Sequence, residues 1–166
     1  MLLTSPSFKK HGTVKSLLEK IPQIKKAVCN VQPNPDFDYL KKTYVEIIKS
    51  ASFEVIIALG GGSVIDSAKV FSVISENNSF DFVEKLIRET VPKTNYQLIP
   101  IIAIPTTAGT GSEVTPWATV WDSHDKKKYS LHLPDLWPEK ALLDAKLSVS
   151  LPVEITINTG LDALSH

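Results

Sequence analysis

The chain has 166 residues, 43% of them hydrophobic, which is enough for one ordinary globular domain with a real core and too little for two full domains. Its 18 Lys and Arg residues balance its 18 Asp and Glu residues, so no net field attracts nucleic acid or an anionic membrane. A single cysteine, a start too poor in apolar residues for a signal peptide, and no run approaching the roughly 20 apolar residues of a membrane span predict a cytoplasmic protein.

The first elements are a short extended stretch and two helices. Residues 2–4 are extended, a helical pattern surrounds residues 14–18, and Pro22 interrupts it. Over residues 36–50, apolar side chains recur at helical spacing. This second helix therefore has an apolar face that needs a sheet to cover.

A strand–helix–strand unit follows. Residues 54–59 form a nearly continuous apolar run, which is typical of a strand covered on both faces. After the glycines at 60–62 the pattern predicts a helix over residues 63–75, and a second strand over residues 98–104 ends at Pro105. This order predicts a Rossmann-like α/β fold: a doubly wound, mostly parallel sheet with flanking helices.

The last third predicts a hairpin, a strand and helical segments. Residues 118–121 return through residues 128–133 as the hairpin, and a short strand lies near residues 141–143. Helical signals resume after Pro152 and again after Gly160.

The glycines between the buried strand and the helix indicate an anion site. They let the backbone approach a phosphate closely, and the free N–H groups of the helix start point at it. Ser63 and Asp66 have capping-box spacing, so Asp66 is either a structural cap or a polar contact to a nucleotide. Lys69 is either a phosphate ligand or, more commonly, part of a solvated helix face. Alone, this loop is weak evidence for a nucleotide site. It matches neither the Gly-x-Gly-x-x-Gly dinucleotide fingerprint nor the phosphate-loop motif that ends in Lys-Ser or Lys-Thr.

A second loop, residues 105–115, follows the carboxyl end of the next strand, where α/β sheets place ligands. Its hydroxyls and glycines allow hydrogen bonds to phosphate, ribose or carboxamide oxygens without added charge. The alternative is a flexible turn. Two such loops on neighbouring strands argue against that alternative.

Near the end of the sequence, Asp162 and His166 stand four apart in a helical pattern. This spacing puts a carboxylate and an imidazole on one helical face, where they can hold a divalent cation together. The commoner role of such a pair is a surface charge pair. The other histidines lack the spacing to complete a metal site.

Together these motifs resemble the iron-containing (group III) alcohol dehydrogenases, oxidoreductases that share their fold with dehydroquinate synthase. The resemblance covers essentially the whole chain. Its segments stand in family order: Pro33-Asn34-Pro35, Gly60 to Ser63 with Asp66 and Lys69, Pro105 to Thr115, Lys128, Leu151-Pro152, and Gly160 to His166.

The resemblance implies NAD or NADP as cofactor and Fe²⁺ or Zn²⁺ as metal, with Asp162 and His166 as the first two metal ligands. It implies that the pyrophosphate lies on the glycine loop, that Asp66 lies near the nicotinamide, and that Lys128 lies by the adenosine half. Where many NAD-preferring relatives have an acidic residue this chain has Ser5, so NADP is permitted. The implied cofactor contacts are Ser5, Gly61, Gly62, Ser63, Asp66, Thr106, Thr107, Thr110, Ser112 and Lys128.

The implied activity is hydride transfer between the nicotinamide and a small alcohol or aldehyde, whose oxygen the metal polarises. Tryptophan-rich segments at 115–121 and 136–140 resemble the phosphonoacetaldehyde reductase branch, although structural packing explains them equally well. Two alternatives remain: a lyase of the dehydroquinate synthase type, and a non-catalytic nucleotide-binding fragment.

The resemblance also implies a domain division. Residues 1–150 would form the dinucleotide-binding domain, and residues 151–166 would begin a helical metal-binding domain whose remainder, with two further histidine ligands, is missing. We therefore expect an N-terminal fragment that is inactive alone. We expect at least a homodimer, with no nucleic acid or membrane partner.

Overall fold

The computed structural model describes residues 1–50 and 53–165, in which strands and helices alternate along most of the chain. The strands are β1 (Leu2–Thr4), β2 (Ala27–Val28), β3 (Ile56–Gly60), β4 (Val73–Ser75), β5 (Tyr96–Leu98), β6 (Ile101–Pro105), β7 (Trp117–Asp122), β8 (Lys127–His132) and β9 (Lys140–Ala141). The helices are α1 (Pro6–Lys10), α2 (Thr13–Lys20), α3 (Phe37–Ser50), α4 (Gly62–Ser72), α5 (Phe80–Ile87) and α6 (Val153–Ser165).

The centre of the molecule is a five-stranded sheet in the order β2-β1-β3-β6-β9, and every neighbouring pair in it is parallel. The chain first moves outward from β1 to β2 and then builds the other half of the sheet from β3. The strand order therefore reverses between β1 and β3, which is the switch point where doubly wound sheets bind ligands. The predicted doubly wound, mostly parallel sheet with flanking helices is confirmed.

Alternate residues of the strands supply two hydrophobic clusters. Leu3, Ala58 and Ala103 belong to the larger cluster, which also contains buried residues of α3, α4 and α5. Their neighbours Leu2 and Leu59 belong to the smaller one, which contains residues of α2. Because successive strand residues point to opposite faces, both faces of the sheet are covered, and this explains the continuous apolar run in β3.

The predicted C-terminal end of the helix over residues 63–75 is wrong. It stops at Ser72, and residues 73–75 form β4, which pairs antiparallel with β5. The strand predicted over residues 98–104 is likewise divided, since β5 ends at Leu98 and β6 begins at Ile101. Pro100 lies between them, and a proline cannot donate a ladder hydrogen bond.

Other sequence predictions are confirmed. The second helix is α3, the hairpin consists of β7 and β8, and the strand near residue 141 is β9, which pairs parallel to β6. The two predicted helical segments near the end of the sequence form one helix, α6, which continues through Gly160.

Arg88 fixes the hairpin against the helices. Its guanidinium donates to Glu84 Oε1 at 3.0 Å within the same helical turn and to Asp122 Oδ2 of β7 at 2.8 Å. The same group lies over the rings of Phe37 and Tyr129, 4.4 and 4.9 Å from their centroids. One side chain therefore ties α3 and α5 to both strands of the hairpin.

Helix α6 lies on the surface and has no buried residue. Only Thr159 and Asp162 of this helix are half-buried, and both lie close to Gly109 in the second loop. Among the helices of residues 1–50 and 53–165, none is long and apolar enough to cross a membrane.

We expect Gly60→Ala to destabilise the fold. A Cβ at this position would lie 2.5 Å from Val64 Cγ2 and 2.8 Å from Val64 Cβ. Because a β-branched side chain is rotationally restricted in a helix, α4 must shift, at a cost of about 1–3 kcal/mol. The free energy of unfolding in urea measures this cost.

Gly160→Ala is the matched control, because a Cβ there meets nothing within 4 Å and alanine favours the helix. We expect the control to be at least as stable as the unmodified chain. Equal unfolding free energies for the two variants would contradict the close packing of α4 on β3.

Candidate functional site

Two loops meet at the carboxyl ends of β3 and β6. The strands pair in parallel with Gly60 opposite Pro105, so the chain leaves both at the same level. The Thr106 N–H donates to Gly60 O at 3.0 Å, and a Cβ on Gly61 would lie 3.0 Å from Thr107 Oγ1. The two predicted loops are therefore in contact and can share one ligand.

The amino end of α4 forms one wall of this meeting point. Gly61 caps the helix without a side-chain hydrogen bond, and the first N–H groups of a helix have no helical acceptor. A Cβ on Gly62 would lie 3.2 Å from Thr110 Oγ1 and 3.3 Å from Ser112 Oγ, two hydroxyls that are hydrogen-bonded to each other at 2.8 Å. Neutral N–H and O–H donors thus surround a gap that only a glycine leaves open, as an anion cradle requires.

A cavity of about 230 Å³ opens between the two loops, the hairpin and α6. It brings together the predicted metal ligand Asp162 and most of the predicted cofactor contacts. These cofactor contacts are Gly62, Ser63, Asp66, Thr107, Thr110 and Lys128.

The other predicted cofactor contacts do not line this cavity. Gly61 lies behind it against Thr107, while Thr106 and Ser112 are buried. Ser5 follows β1 at the switch point, and its hydroxyl is hydrogen-bonded to Ser7 Oγ at 2.8 Å.

Several lining residues were not predicted as contacts. Thr119 and Trp121 alternate along β7 and so share one face of the hairpin, a signal that period-two spacing carries. The sequence alone did not indicate that this face meets the cavity. The remaining unpredicted lining residues are Asn34, Pro35, Gly109 and Thr159.

Ser63 joins the turn at residues 33–35 to the start of α4. Its hydroxyl oxygen accepts the Asn34 N–H at 3.2 Å, and Asn34 has a positive φ of 53°. As an acceptor in this bond, the Ser63 hydroxyl keeps its own proton for a ligand.

Asp66 is not a helix cap, so the capping-box interpretation of Ser63 and Asp66 is wrong. The cap is Gly61, which places Ser63 inside the helix. The Asp66 carboxylate instead accepts the Thr119 N–H at Oδ2, 2.9 Å away. Its other oxygen, Oδ1, is buried without a hydrogen-bond partner among the described residues.

Lys69 is fully buried, so its interpretation as part of a solvated helix face is also wrong. The hairpin covers this side of α4, and Lys69 Nζ donates to Trp117 O at 2.6 Å and lies 3.9 Å from Asp66 Oδ1. Burial lowers the pKa of Lys69 to about 8, against the opposing effect of Asp66. Burial raises the pKa of Asp66, while the Thr119 N–H and Lys69 lower it.

One of the two predicted metal ligands lies among the described residues. Asp162 lines the cavity, with Oδ2 3.4 Å from the position of a Cβ on Gly109. His166 lies outside the described residues. Within the described part of the chain, no three His, Cys, Asp or Glu side chains are grouped so that they could hold a metal ion. The described residues thus contribute one carboxylate of the predicted pair.

A larger cavity of about 590 Å³ lies at the opposite edge of the sheet, lined by Met1, Ile24 and Phe53 among others. It contains none of the candidate residues and lies at the amino ends of β1 and β3. Parallel sheets bind ligands at the carboxyl ends of their strands, so the smaller cavity is the better candidate.

Residues 1–145 match the model of the family described as iron-containing alcohol dehydrogenase. The chain is 33% identical to the aldehyde-alcohol dehydrogenase of Streptococcus pneumoniae serotype 4 and 32% identical to the lactaldehyde reductase of Escherichia coli K12. These alignments cover all of this chain but 20% and 44% of the two relatives.

A solved structure of sulfoacetaldehyde reductase from Bifidobacterium kashiwanohense, in complex with NAD⁺, superposes with a TM-score of 0.85 at 31% identity. The superposition covers 99% of this chain and 43% of that protein. The chain therefore spans less than half the length of each of these relatives.

We expect Asp66→Asn to destabilise the chain more at pH 7 than at pH 9.5. The substitution removes the carboxylate 3.9 Å from the buried Lys69 ammonium, which costs about 3 kcal/mol when the lysine is charged. The pKa of Lys69 then falls below about 8 in the folded state, while its ordinary value is 10.5. The unfolded chain holds the extra proton between these values, so stability recovers as the pH rises.

Unfolding in urea at the two pH values measures this recovery. The control is Asp81→Asn, which breaks an exposed pair with Lys41, and we expect little loss and no alkaline recovery there. A loss of equal size at both pH values in the Asp66 variant would contradict the coupling.

Proposed function

Because the chain belongs to the iron-containing alcohol dehydrogenase family, we propose that it binds NAD(H) or NADP(H) for metal-assisted hydride transfer to or from a small alcohol or aldehyde. The observation that carries the proposal is the contact between Gly61 and Thr107 at the ends of two parallel strands. It joins a helix start to a hydroxyl-rich loop around one cavity. Such neutral donors suit the diphosphate of a dinucleotide.

Different residues of the cavity bind different groups of the cofactor. The N–H groups of Gly62 and Ser63 hold the pyrophosphate, and the hydroxyls of Thr107 and Thr110 donate to neighbouring cofactor oxygens. Asp66 lines the cavity, and its carboxylate accepts an N–H of the nicotinamide carboxamide. The pyrophosphate and the carboxamide of the cofactor thus meet complementary groups of the chain.

Lys128 lines the same cavity as Asp66 and is the candidate contact to the adenosine half of the cofactor that the family resemblance implies.

Asp162 and His166 would hold the metal. A carboxylate and an imidazole are suitable ligands for Fe²⁺ or Zn²⁺, and the metal, when bound, polarises the substrate oxygen as a Lewis acid. Catalytic sites use three protein ligands as a rule, so two ligands leave the set incomplete. We expect weak turnover, at most, from these 166 residues alone.

The division into domains follows from α6. This helix has no buried residue and meets the rest of the chain near Gly109. We propose that residues 1–150 are the nucleotide-binding domain and that residues 151–166 belong to a second, helical unit that carries the metal.

An aldehyde with an anionic group, such as phosphonoacetaldehyde, is the substrate that this cavity favours. Lys128 and Trp121 both line it, and Lys128 Nζ lies 5.8 Å from the centroid of the Trp121 ring. Trp117 and Trp137 do not line it: Trp117 stacks on the His132 ring with the centroids 4.0 Å apart, and Trp137 Nε1 donates to Pro134 O at 3.1 Å. A lysine beside a phosphonate forms a charge-assisted hydrogen bond.

We expect the chain to bind NADH and Gly62→Ala to weaken this binding about tenfold or more, the equivalent of one lost hydrogen bond to a charged group. The added methyl group would crowd Thr110 Oγ1 and Ser112 Oγ and occupy the space of the phosphate. Isothermal titration calorimetry measures the dissociation constant. Gly160→Ala, where an added methyl group meets nothing within 4 Å, is the control and should bind as the unmodified chain does. Absence of binding to both NADH and NADPH would refute the proposed function.

We expect Ser5→Asp to weaken NADPH binding while NADH binding stays nearly constant. Ser5 follows β1, and in doubly wound sheets an acidic side chain near the ribose excludes a 2′-phosphate. Ser5→Asn is the control, because it has nearly the same size without the charge. An equal loss for both nucleotides in the Asp variant would place Ser5 away from the ribose.

A further inference from the structure

Lys69 is the feature that the proposed function leaves unexplained. Its side chain is 0% exposed, although a lysine is almost never fully buried, because the loss of hydration of an ammonium group costs several kcal/mol. Met has a similar length and no charge to bury. The burial of a charge at this position therefore calls for a reason other than packing.

The contacts of the ammonium group lie in α4 and at the start of the hairpin. Lys69 Nζ donates to Trp117 O at 2.6 Å and lies 3.4 Å from Thr115 Oγ1, both at the start of the hairpin. It lies 3.9 Å from Asp66 Oδ1, one turn earlier in α4. Lys69 thus connects the strand β7 to the carboxylate of the helix.

The two carboxylate oxygens of Asp66 differ in their contacts. Its Oδ2 accepts the Thr119 N–H at 2.9 Å, two residues beyond the carbonyl that Lys69 holds. Its Oδ1 is buried, lies beside Lys69 and has no hydrogen-bond partner among the described residues. Asp66 lines the cavity, so a ligand there meets this carboxylate beside its cation.

We propose that Lys69 is a positioning residue that acts through Asp66: its buried ammonium lies beside the Asp66 carboxylate and holds β7, so that the carboxylate stays charged and in place to accept an N–H of the ligand. The inference rests on the proposed nucleotide site. Lys69 does not line the cavity, so its effect on binding passes through Asp66.

Charged groups around the pair come from several elements. Lys128 of β8 and Asp162 of α6 line the cavity with Asp66, and Glu113 acts on Lys69 from the short turn of helix after Gly111. The Ser112 hydroxyl also lies close enough to stabilise the Asp66 carboxylate. Lys69 is the cation nearest to Asp66 among the described ion pairs, so its removal should dominate the response.

The test compares Lys69→Met with the unmodified chain in NADH titration calorimetry across a range of pH. A carboxylate without its cation protonates at higher pH, so NADH affinity should begin to fall about one pH unit or more earlier on acidification in the variant. Above about pH 8, where the pKa of Lys69 lies, the two affinities should converge because the lysine of the unmodified chain also becomes neutral. Lys41→Met, on the exposed side of α3, is the control and should follow the unmodified chain.

A second comparison isolates the route through Asp66. In an Asp66→Asn background, Lys69→Met should cause no further loss of NADH affinity. The same fold-loss at every pH and in both backgrounds would mean that Lys69 has only a structural role, and this would overturn the inference.

A third measurement needs no nucleotide. The side-chain carboxyl ¹³C signal of Asp66 gives its pKa in the free protein, and Lys69→Met should raise that pKa by about one unit or more. An unchanged pKa would overturn the inference even if NADH binds. If the unmodified chain binds neither NADH nor NADPH, the proposed function fails separately, because this titration still reports on the Lys69–Asp66 pair.

Discussion

The parallel pairing of β3 with β6 is the constraint on which the site depends. Because Gly60 stands opposite Pro105, the glycine loop and the hydroxyl loop leave the sheet side by side, and Gly61 meets Thr107. A shift of one residue in this pairing would separate the loops and turn every side chain of the strand to the wrong face. The register of two core strands therefore also determines the geometry of the proposed nucleotide site.

The second requirement is a rigid helix behind the proposed phosphate cradle. Every residue of α4 from Val64 to Ser72 is buried, since the sheet lies on one side and the hairpin on another. Arg88 donates to the Asp122 carboxylate of the hairpin, and the buried Lys69 donates to its Trp117 carbonyl. Donors on a helix fixed in this way need little reorganisation when a ligand binds. Less binding free energy is therefore lost in ordering these donors.

The sheet and the position of the site follow from local sequence signals, because a continuous apolar run and its glycine loop are close together in the chain. The burial of Lys69 does not, since its partners in the hairpin are 46 and 48 residues away. The early end of α4 also depends on a distant segment, β5. Asp66 and Trp121 illustrate the same limit: their residue types suggested a polar contact and an aromatic surface, but only the packed hairpin determines what they face. The metal role of His166 stays a prediction.

Helix α6 differs from α4 in what holds it. It has 13 residues, no buried side chain, and a half-buried face formed by Thr159 and Asp162 against Gly109. A free helix of this length is marginal in water, so its amide hydrogens should exchange with solvent through frequent local opening, whereas those of α4 exchange only through much rarer events. Since Gly109 also lines the cavity, a molecule that orders this loop should slow the opening of α6. Exchange protection along one surface helix would then record whether the neighbouring cavity is filled.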